Sequence, residues 1–297
     1  MQQHVNGSAG LDGAKPAAEA APQASVTLRS VNKSYGEEWE RQTVIKDFSL
    51  DIRPGELTSI VGPSGCGKST LVNLIAGFER PDSGEILLDG KRITGPSKDR
   101  MVVFQETALI PWQTAFQNVV FGPKIRGEMR RADLAKEANR LLDKVGLSEF
   151  KDKYPLQLSG GMQRRAELAR ALINNPLVLI MDEPFRGLDA MSRGLMQEFF
   201  IRLFEEHRRT NIFVTSEIEE AILLADRLVI LSNRPAQVRT MLDIKLPRPR
   251  TLGQMSSKEA FEYKREALAI LHEEAMKSFK HGEATSDIVA AYMRRPV

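Results

Sequence analysis

The chain has 297 residues, enough for one or two domains with a real core, and its 42% hydrophobic and 27% charged content is that of an ordinary globular protein. A formal net charge of +3 gives no electrostatic case for nucleic acid as a partner. The single cysteine, Cys66, excludes an intramolecular disulfide and fits a reducing compartment. Taken from the start, residues 1–24 are rich in Ala, Gly, Pro and polar residues and are expected to form a disordered tail without a secretion leader. Val26 to Val31 alternates as a strand does, Ser34-Tyr35-Gly36 follows as a turn, and Val44 to Ile52 is a second β region closed by Pro54-Gly55. Leu57 to Val61 is a short apolar strand and Thr70 to Ala76 reads as a helix. Gly84 to Leu88 and Met101 to Phe104 are further strands, the second leading straight into Gln105.

From about Thr107 to Asn175 the pattern becomes helical. Leu134, Ala138, Leu141, Leu142 and Val145 share one helix face, and Gly146 ends it. Leu177 to Met181 and Asn211 to Thr215 return as buried strands around a helix from about Ser192 to Arg208. Leu228 to Leu231 and Val238 to Leu246 are expected to pair. Pro247-Arg-Pro249 breaks regular structure, and Lys258 to Phe279 reads as a charged helix. This order predicts an α/β fold with a mainly parallel sheet, an antiparallel β subdomain and a helical subdomain inserted at about 107–175. The expected division is a domain over 26–246 with a partly helical extension over 247–297. No run of about 20 apolar residues exists, so no membrane-spanning helix is expected.

Gly62-Pro63-Ser64-Gly65-Cys66-Gly67-Lys68-Ser69 matches G-x-x-x-x-G-K-[ST], between a strand and a helix continuing through Thr70. The glycines let the backbone curl with its N–H groups inward, and the helix terminus adds partial positive charge. Lys68 is the candidate for the β- and γ-phosphates of ATP and Ser69 for Mg²⁺. Asp182 and Glu183 end an apolar strand, where parallel strands point into a ligand crevice. Asp182 is the candidate to hold Mg²⁺ through water, and Glu183 the candidate base for the attacking water. Gln105, at another strand end, is a candidate for Mg²⁺ or that water. Ser159-Gly160-Gly161-Met162 opens a second helix and is either a plain serine cap or an anion site for the γ-phosphate of an ATP held by another subunit.

Together these segments resemble the ATP-binding subunit of an ATP-binding-cassette (ABC) transporter, over about residues 26–246. GPSGCGKST at 62–70, the Gln105 loop, LSGGM at 158–162, LIMDEP at 179–184 and Gly187-Leu188-Asp189 carry the resemblance. It implies a P-loop NTPase core and ATP hydrolysis with Mg²⁺. It further implies that Tyr35 stacks on adenine, that Asp189 lies at the dimer contact, and that two cassettes close head-to-tail over two ATPs. A homodimer driving two membrane-spanning permease subunits at the cytoplasmic face of the membrane is the implied assembly. VFQETALIPWQT at 103–114, DEPFRGLDAMSR at 182–193, SNRPAQV and DIKLPRPR resemble importers of nitrate, aliphatic sulfonates and taurine, which are fed by a substrate-binding protein. The alternatives are an ATP-gated cassette with impaired hydrolysis and a soluble, non-transport ABC ATPase.

Two departures stand out. Where the family has a histidine contacting the γ-phosphate this chain has Ser216, and slowed hydrolysis is expected unless a water or Glu217 fills the gap. Arg186 replaces a small residue before Gly187, and it is expected to be a solvated arginine or a partner contact. Trp112, Phe116 and Phe121 are candidates either for a groove accepting the permease or for core packing. Arg234, Arg239, Lys245, Arg248 and Arg250 are expected on a solvated face, with anionic lipid heads as the alternative.

Overall fold

The computed structural model describes residues 21–37 and 39–280. Most of the expected tail (1–20) and the end of the expected extension (281–297) lie outside them. Gln23 and Ala24 are ordered parts of the fold: the Ala24 N–H and carbonyl both bond the Thr210 hydroxyl, and Ala24 is buried.

Two sheets carry the fold. The first is antiparallel and joins β1 (Val26–Tyr35), β2 (Gln42–Ile52), β4 (Ser83–Leu88) and β5 (Lys91–Arg92) in the order β2-β1-β4-β5. The second joins β3 (Leu57–Val61), β6 (Arg100–Val103), β7 (Val178–Asp182), β8 (Thr210–Val214), β9 (Arg227–Leu231) and β10 (Val238–Asp243) in the order β10-β9-β3-β8-β7-β6. Its inner pairs are parallel and only β10 runs antiparallel. The reason is visible in the residues: β3, β7, β8 and β9 are buried along their whole length, as strands covered on both faces must be. β1 runs on through Tyr35, past the turn expected at Ser34, because Lys33, Ser34 and Tyr35 keep pairing with β2.

The helices are α1 (Lys68–Ala76), α2 (Ala115–Arg126), α3 (Arg131–Lys144), α4 (Gly160–Leu172), α5 (Ala190–Glu206), α6 (Ile218–Leu224) and α7 (Lys258–Lys280). α1 stops at Gly77, which is left-handed at φ 85° and whose added Cβ would meet the Gly95 carbonyl oxygen at 2.4 Å, so only glycine fits. α2, α3 and α4 form the inserted helical lobe around Val119, Leu134, Leu142 and Ala166. α2 begins with a capping box between Thr114 and Gln117. On one face of the parallel sheet Phe213 of β8 meets Phe185 and Phe200 in tilted and edge-on contacts, with the three ring centroids 5.6 to 6.4 Å apart.

α7 is not an appendage. Ala260 and Ala267 are fully buried in one cluster with Val61, Ile222 and Ile230, so the extension shares the core of the sheet. The expectation of a solvated basic face fails for Arg248 and Arg250. Arg250 is buried and donates to the carbonyls of Ile222, Leu223, Ala225 and Ile244. Arg248 pairs with Asp226 at 2.8 Å and Glu205 at 2.6 Å. Both satisfy the C-terminal end of α6, whose last carbonyls have no partner within the helix. Arg239 is half-exposed and pairs with Glu273 and Glu274 of α7.

Candidate nucleotide site

Parallel pairing brings the predicted residues to one edge. Register sets Ile60 beside Val214, Val214 beside Asp182, and Met181 beside Val103. The chain leaving β3 at Gly62, β7 at Glu183, β8 at Thr215 and β6 at Phe104 therefore emerges on the same C-terminal edge. The Thr215 N–H donates to the Ile60 carbonyl at 3.1 Å and the Glu183 N–H to the Val214 carbonyl at 2.7 Å, which fastens these exits to each other.

The loop from Gly62 to Gly67 feeds directly into α1. Gly67 caps α1 at φ 122°, a conformation that residues with a side chain rarely adopt, and as the N-cap it brings no side-chain hydrogen bond to the helix. Its N–H groups are thus directed into the loop, together with the helix dipole. The space an added Cβ would take at Gly65 is open. Lys68 is buried and its Nζ donates to the carbonyls of Gly62 at 2.8 Å and Pro63 at 3.1 Å. Ser64 and Ser69 are exposed on the loop, while Cys66 packs in the core with its thiol pushed up by burial, which leaves it an unreactive filler.

Asp182 is buried beside this loop. Burial raises its carboxyl, and a hydrogen bond from the Ser69 hydroxyl and the Lys68 charge oppose that shift. A Ser69 hydroxyl facing a buried carboxylate is a donor set that suits Mg²⁺, which keeps several waters and phosphate oxygens and needs few protein ligands. Glu183 is buried with φ 43°, a left-handed backbone that costs a non-glycine residue about 1–3 kcal/mol and is held here by its bond to Val214. Its carboxylate accepts from Arg186 at 2.8 Å.

Tyr35 ends β1 with its ring about 40% exposed, Lys33 Nζ 5.3 Å from the centroid and its hydroxyl bonded to Glu79. Burial, and then Glu79, raise this phenol, while a hydrogen bond from Thr70 opposes them. Tyr35 and Thr70 therefore meet beside the loop. Gln105 is exposed just beyond β6 with its backbone carbonyl accepting from Arg164.

Ser159 is the N-cap of α4 and accepts from the Met162 N–H at 3.3 Å. It and Gly160 are exposed, with Gly161 and Met162 half-exposed, and among the described residues no hydrogen bond ties the four to the phosphate loop of the same chain. Asp189 caps α5 by accepting from the Ser192 N–H at 2.9 Å, a local duty beside any contact with a second subunit. Ser216 is exposed, one residue past buried Thr215. Of the histidines, His207 ends α5 and His272 lies on α7, so among the described residues none stands at this edge. Of the three aromatics, Phe116 packs against the core of the helical lobe, Trp112 is exposed, and Trp112 and Phe121 line one groove with Val120.

Sequence reasoning missed the ion pair of Arg164 and Glu167, which holds the Gln105 loop from α4; Arg186, read as a solvated arginine or a partner contact, has an exposed side chain, but its bond to Glu183 was not foreseen. Opposite charges three residues apart on α4 were the available sign for the first.

Comparison with known proteins agrees with this geometry. The family model described as ABC transporter matches residues 45–186. An ABC transporter ATP-binding protein of Methanocaldococcus jannaschii is 40% identical over 255 residues, covering 85% of this chain and 93% of that protein. Taurine import ATP-binding protein TauB of Roseobacter denitrificans is 48% identical, over 65% of this chain and 72% of its own length. Nitrate import ATP-binding protein NrtC of Synechococcus elongatus is 43% identical over 77% of this chain, which spans only 35% of that longer protein. The solved dimer of the ATP-binding cassette MJ0796 in a post-hydrolysis state, bound to ADP and Pi, superposes with a TM-score of 0.66 at 32% identity, covering 75% of this chain and all of that one. With a P-loop core, an antiparallel subdomain and an inserted helical lobe all in place, the chain belongs to the ATP-binding proteins of the ABC transporter family.

Proposed function

We propose that this chain hydrolyses MgATP to drive an importer of a small anionic solute of the nitrate, sulfonate or taurine kind. The observation that carries the reading is the shared C-terminal edge of β3, β7, β8 and β6, at which the segments bearing Lys68, Ser69, Asp182, Glu183 and Gln105 leave the sheet. Phosphates enter the N–H-lined loop at α1, and Lys68 turns from its own loop carbonyls to the β- and γ-phosphate oxygens. Ser69, Asp182 through water and Gln105 would hold Mg²⁺, which would supply positive charge to offset that of the phosphate oxygens. Glu183 takes a proton from the water in line with the γ-phosphate. Tyr35 offers its ring face to the adenine.

The exposed cap at Ser159–Met162 supports a site completed by a second copy of the chain. Two cassettes would close head-to-tail, with Asp189 at their contact, and move two permease subunits between inward- and outward-facing states at the cytoplasmic face of the membrane. A substrate-binding protein would deliver the solute. The names of TauB and NrtC support the substrate class. Ser216 favours one second reading, an ATP-gated cassette with impaired hydrolysis.

Glu183→Gln separates them. On the proposed function it cuts ATP turnover to a small residual rate and traps an ATP-bound dimer, seen by light scattering, that Ser159→Arg dissolves. Unchanged turnover in Glu183→Gln would support the gated reading. Growth on nitrate, sulfonates or taurine after deletion of the gene identifies the solute.

A further inference from the structure

Glu183 needs something to aim it. Its left-handed backbone fixes where the side chain starts, but the carboxylate lies three bonds further out and is free to rotate. The residue is buried, but burial by itself sets no direction for the carboxylate. Among the described residues one side chain hydrogen-bonds this carboxylate: Arg186, whose Nη1 donates to Oε2 at 2.8 Å. Between the two, the Arg186 N–H donates to the Glu183 carbonyl at 3.1 Å, so a tight turn sets the guanidinium over the carboxylate.

The arrangement is one-sided. Arg186 engages Oε2 alone. A carboxylate has lone pairs on both oxygens, so Oε1 remains able to accept from a water. The arginine side chain is 62% exposed and the glutamate side chain 10% exposed. The acid is thus enclosed and the cation reaches it from the solvent side.

A second observation is independent of the first. The edge that carries Glu183 has Ser216 at the neighbouring strand exit and, among the described residues, no histidine. Serine has one donor and no charge at neutral pH. Among the described residues the one cation bonded to Glu183 is therefore supplied by the turn after β7 rather than by the turn after β8.

From these two observations we infer that Arg186 is a positioning residue for Glu183: it holds Oε2 so that Oε1 faces the attacking water, at an edge where, among the described residues, no histidine stands. The inference rests on the hydrolytic reading above. It concerns the orientation of the base and not the binding of ATP, so it predicts an effect on kcat with little effect on KM.

The test compares MgATP hydrolysis by the purified full chain as wild type, Arg186→Ala, Arg186→Lys, Glu183→Gln and the double variant Arg186→Ala/Glu183→Gln. Arg186→Ala is expected to lower kcat about tenfold with KM for ATP within about twofold, Arg186→Lys to recover most of the loss, and Arg186→Ala to add nothing once Glu183 is Gln. An Arg186→Ala kcat equal to or above wild type overturns the inference, as does an equal loss in the Glu183→Gln background. Crystal structures with a non-hydrolysable ATP analogue give a readout that needs no turnover. Glu183 should occupy one rotamer in the wild type and several in Arg186→Ala, and an unchanged single rotamer overturns the inference. Wild-type turnover that is absent, or that Glu183→Gln leaves unchanged, would instead overturn the hydrolytic reading, and the two failures are thereby told apart.

Discussion

Arg164 and Glu167, one turn apart on α4, form an ion pair of 2.6 Å with both side chains buried. The pair grips a loop of the other lobe. Arg164 donates to the carbonyls of Phe104 at 2.6 Å and Gln105 at 2.7 Å, and Glu167 accepts from the Ala108 N–H at 2.6 Å. Contacts on both sides of Gln105 thus come from the helix that begins at Ser159, and a rotation of the helical lobe would carry Gln105 with it.

Arg164→Ala should therefore destabilise the chain strongly. It leaves Glu167 buried without its cation, and burial already pushes the Glu167 carboxyl up. Breaking a buried pair from one side costs about 3–5 kcal/mol. Urea denaturation of the two proteins checks this, and a loss below about 1 kcal/mol would mean that water takes over the role of Arg164.

Glu220 gives a prediction in pH. It is buried on α6 and accepts from Gln197 at 2.9 Å and Thr215 at 2.7 Å. Burial raises its carboxyl above the ordinary value, against the pull of those two hydrogen bonds and with a small push from Glu217. The folded state then binds the proton more tightly than the unfolded state. Its contribution is fully present below the unfolded carboxylate range and is lost as pH rises through the folded value. Glu220→Gln can keep both partners, with its carbonyl facing Gln197 and its amide facing Thr215. The variant should gain stability relative to wild type as pH goes from about 4 to about 7 in parallel melts. A gap independent of pH would show that Glu220 ionises as freely in the fold as outside it.

Some of the fold and site was plain in the residues, and the boundary has a physical reason. Leu57 to Val61 followed by the glycine loop could be read because burial on both faces and a backbone-made anion site leave local marks. Asp182 and Glu183 were legible for the same reason, at the end of a wholly apolar strand. Arg250 was not: its four acceptors belong to α6 and to the residue after β10, and nothing near position 250 announces them. Arg164 likewise meets carbonyls about 60 positions away, at separations printed by the fold and not by the chain. Arg186 is the intermediate case. Its partner is three residues back, but only the turn after β7 brings the charges together.

Arg250→Met tests whether that buried guanidinium is structural. Burial pulls the group down to about 10, so holding it charged is costly, and the four carbonyl acceptors offset that cost. Methionine matches its length but leaves the last turn of α6 unsatisfied. A loss of about 2–4 kcal/mol is expected, since each buried carbonyl left without a partner costs about 1–3 kcal/mol and part is recovered by water. Chemical denaturation measures it. Arg250→Lys should fall between the two, because an ammonium has three donors and no fork.

Ser216→His should speed hydrolysis. The backbone at this position is already held: the Thr215 N–H donates to Ile60 at 3.1 Å and its hydroxyl donates to Glu220 at 2.7 Å. The Ser216 side chain is exposed, so an imidazole can be added there without displacing the core. It would bring a donor to charge developing on the γ-phosphate, a contact worth about 3–4 kcal/mol, or ~10²–10³ in rate, where nothing else supplies it. Arg186 already orients Glu183 by the inference above, so the gain should be smaller, about tenfold in kcat at unchanged KM. For the same reason Arg186→Ala should cost less in the histidine background than in the wild type, because the base then has a second group to hold it. Steady-state turnover of the four proteins decides the matter. A histidine variant no faster than wild type would mean that Ser216, a bound water or Glu217 already serves this edge fully.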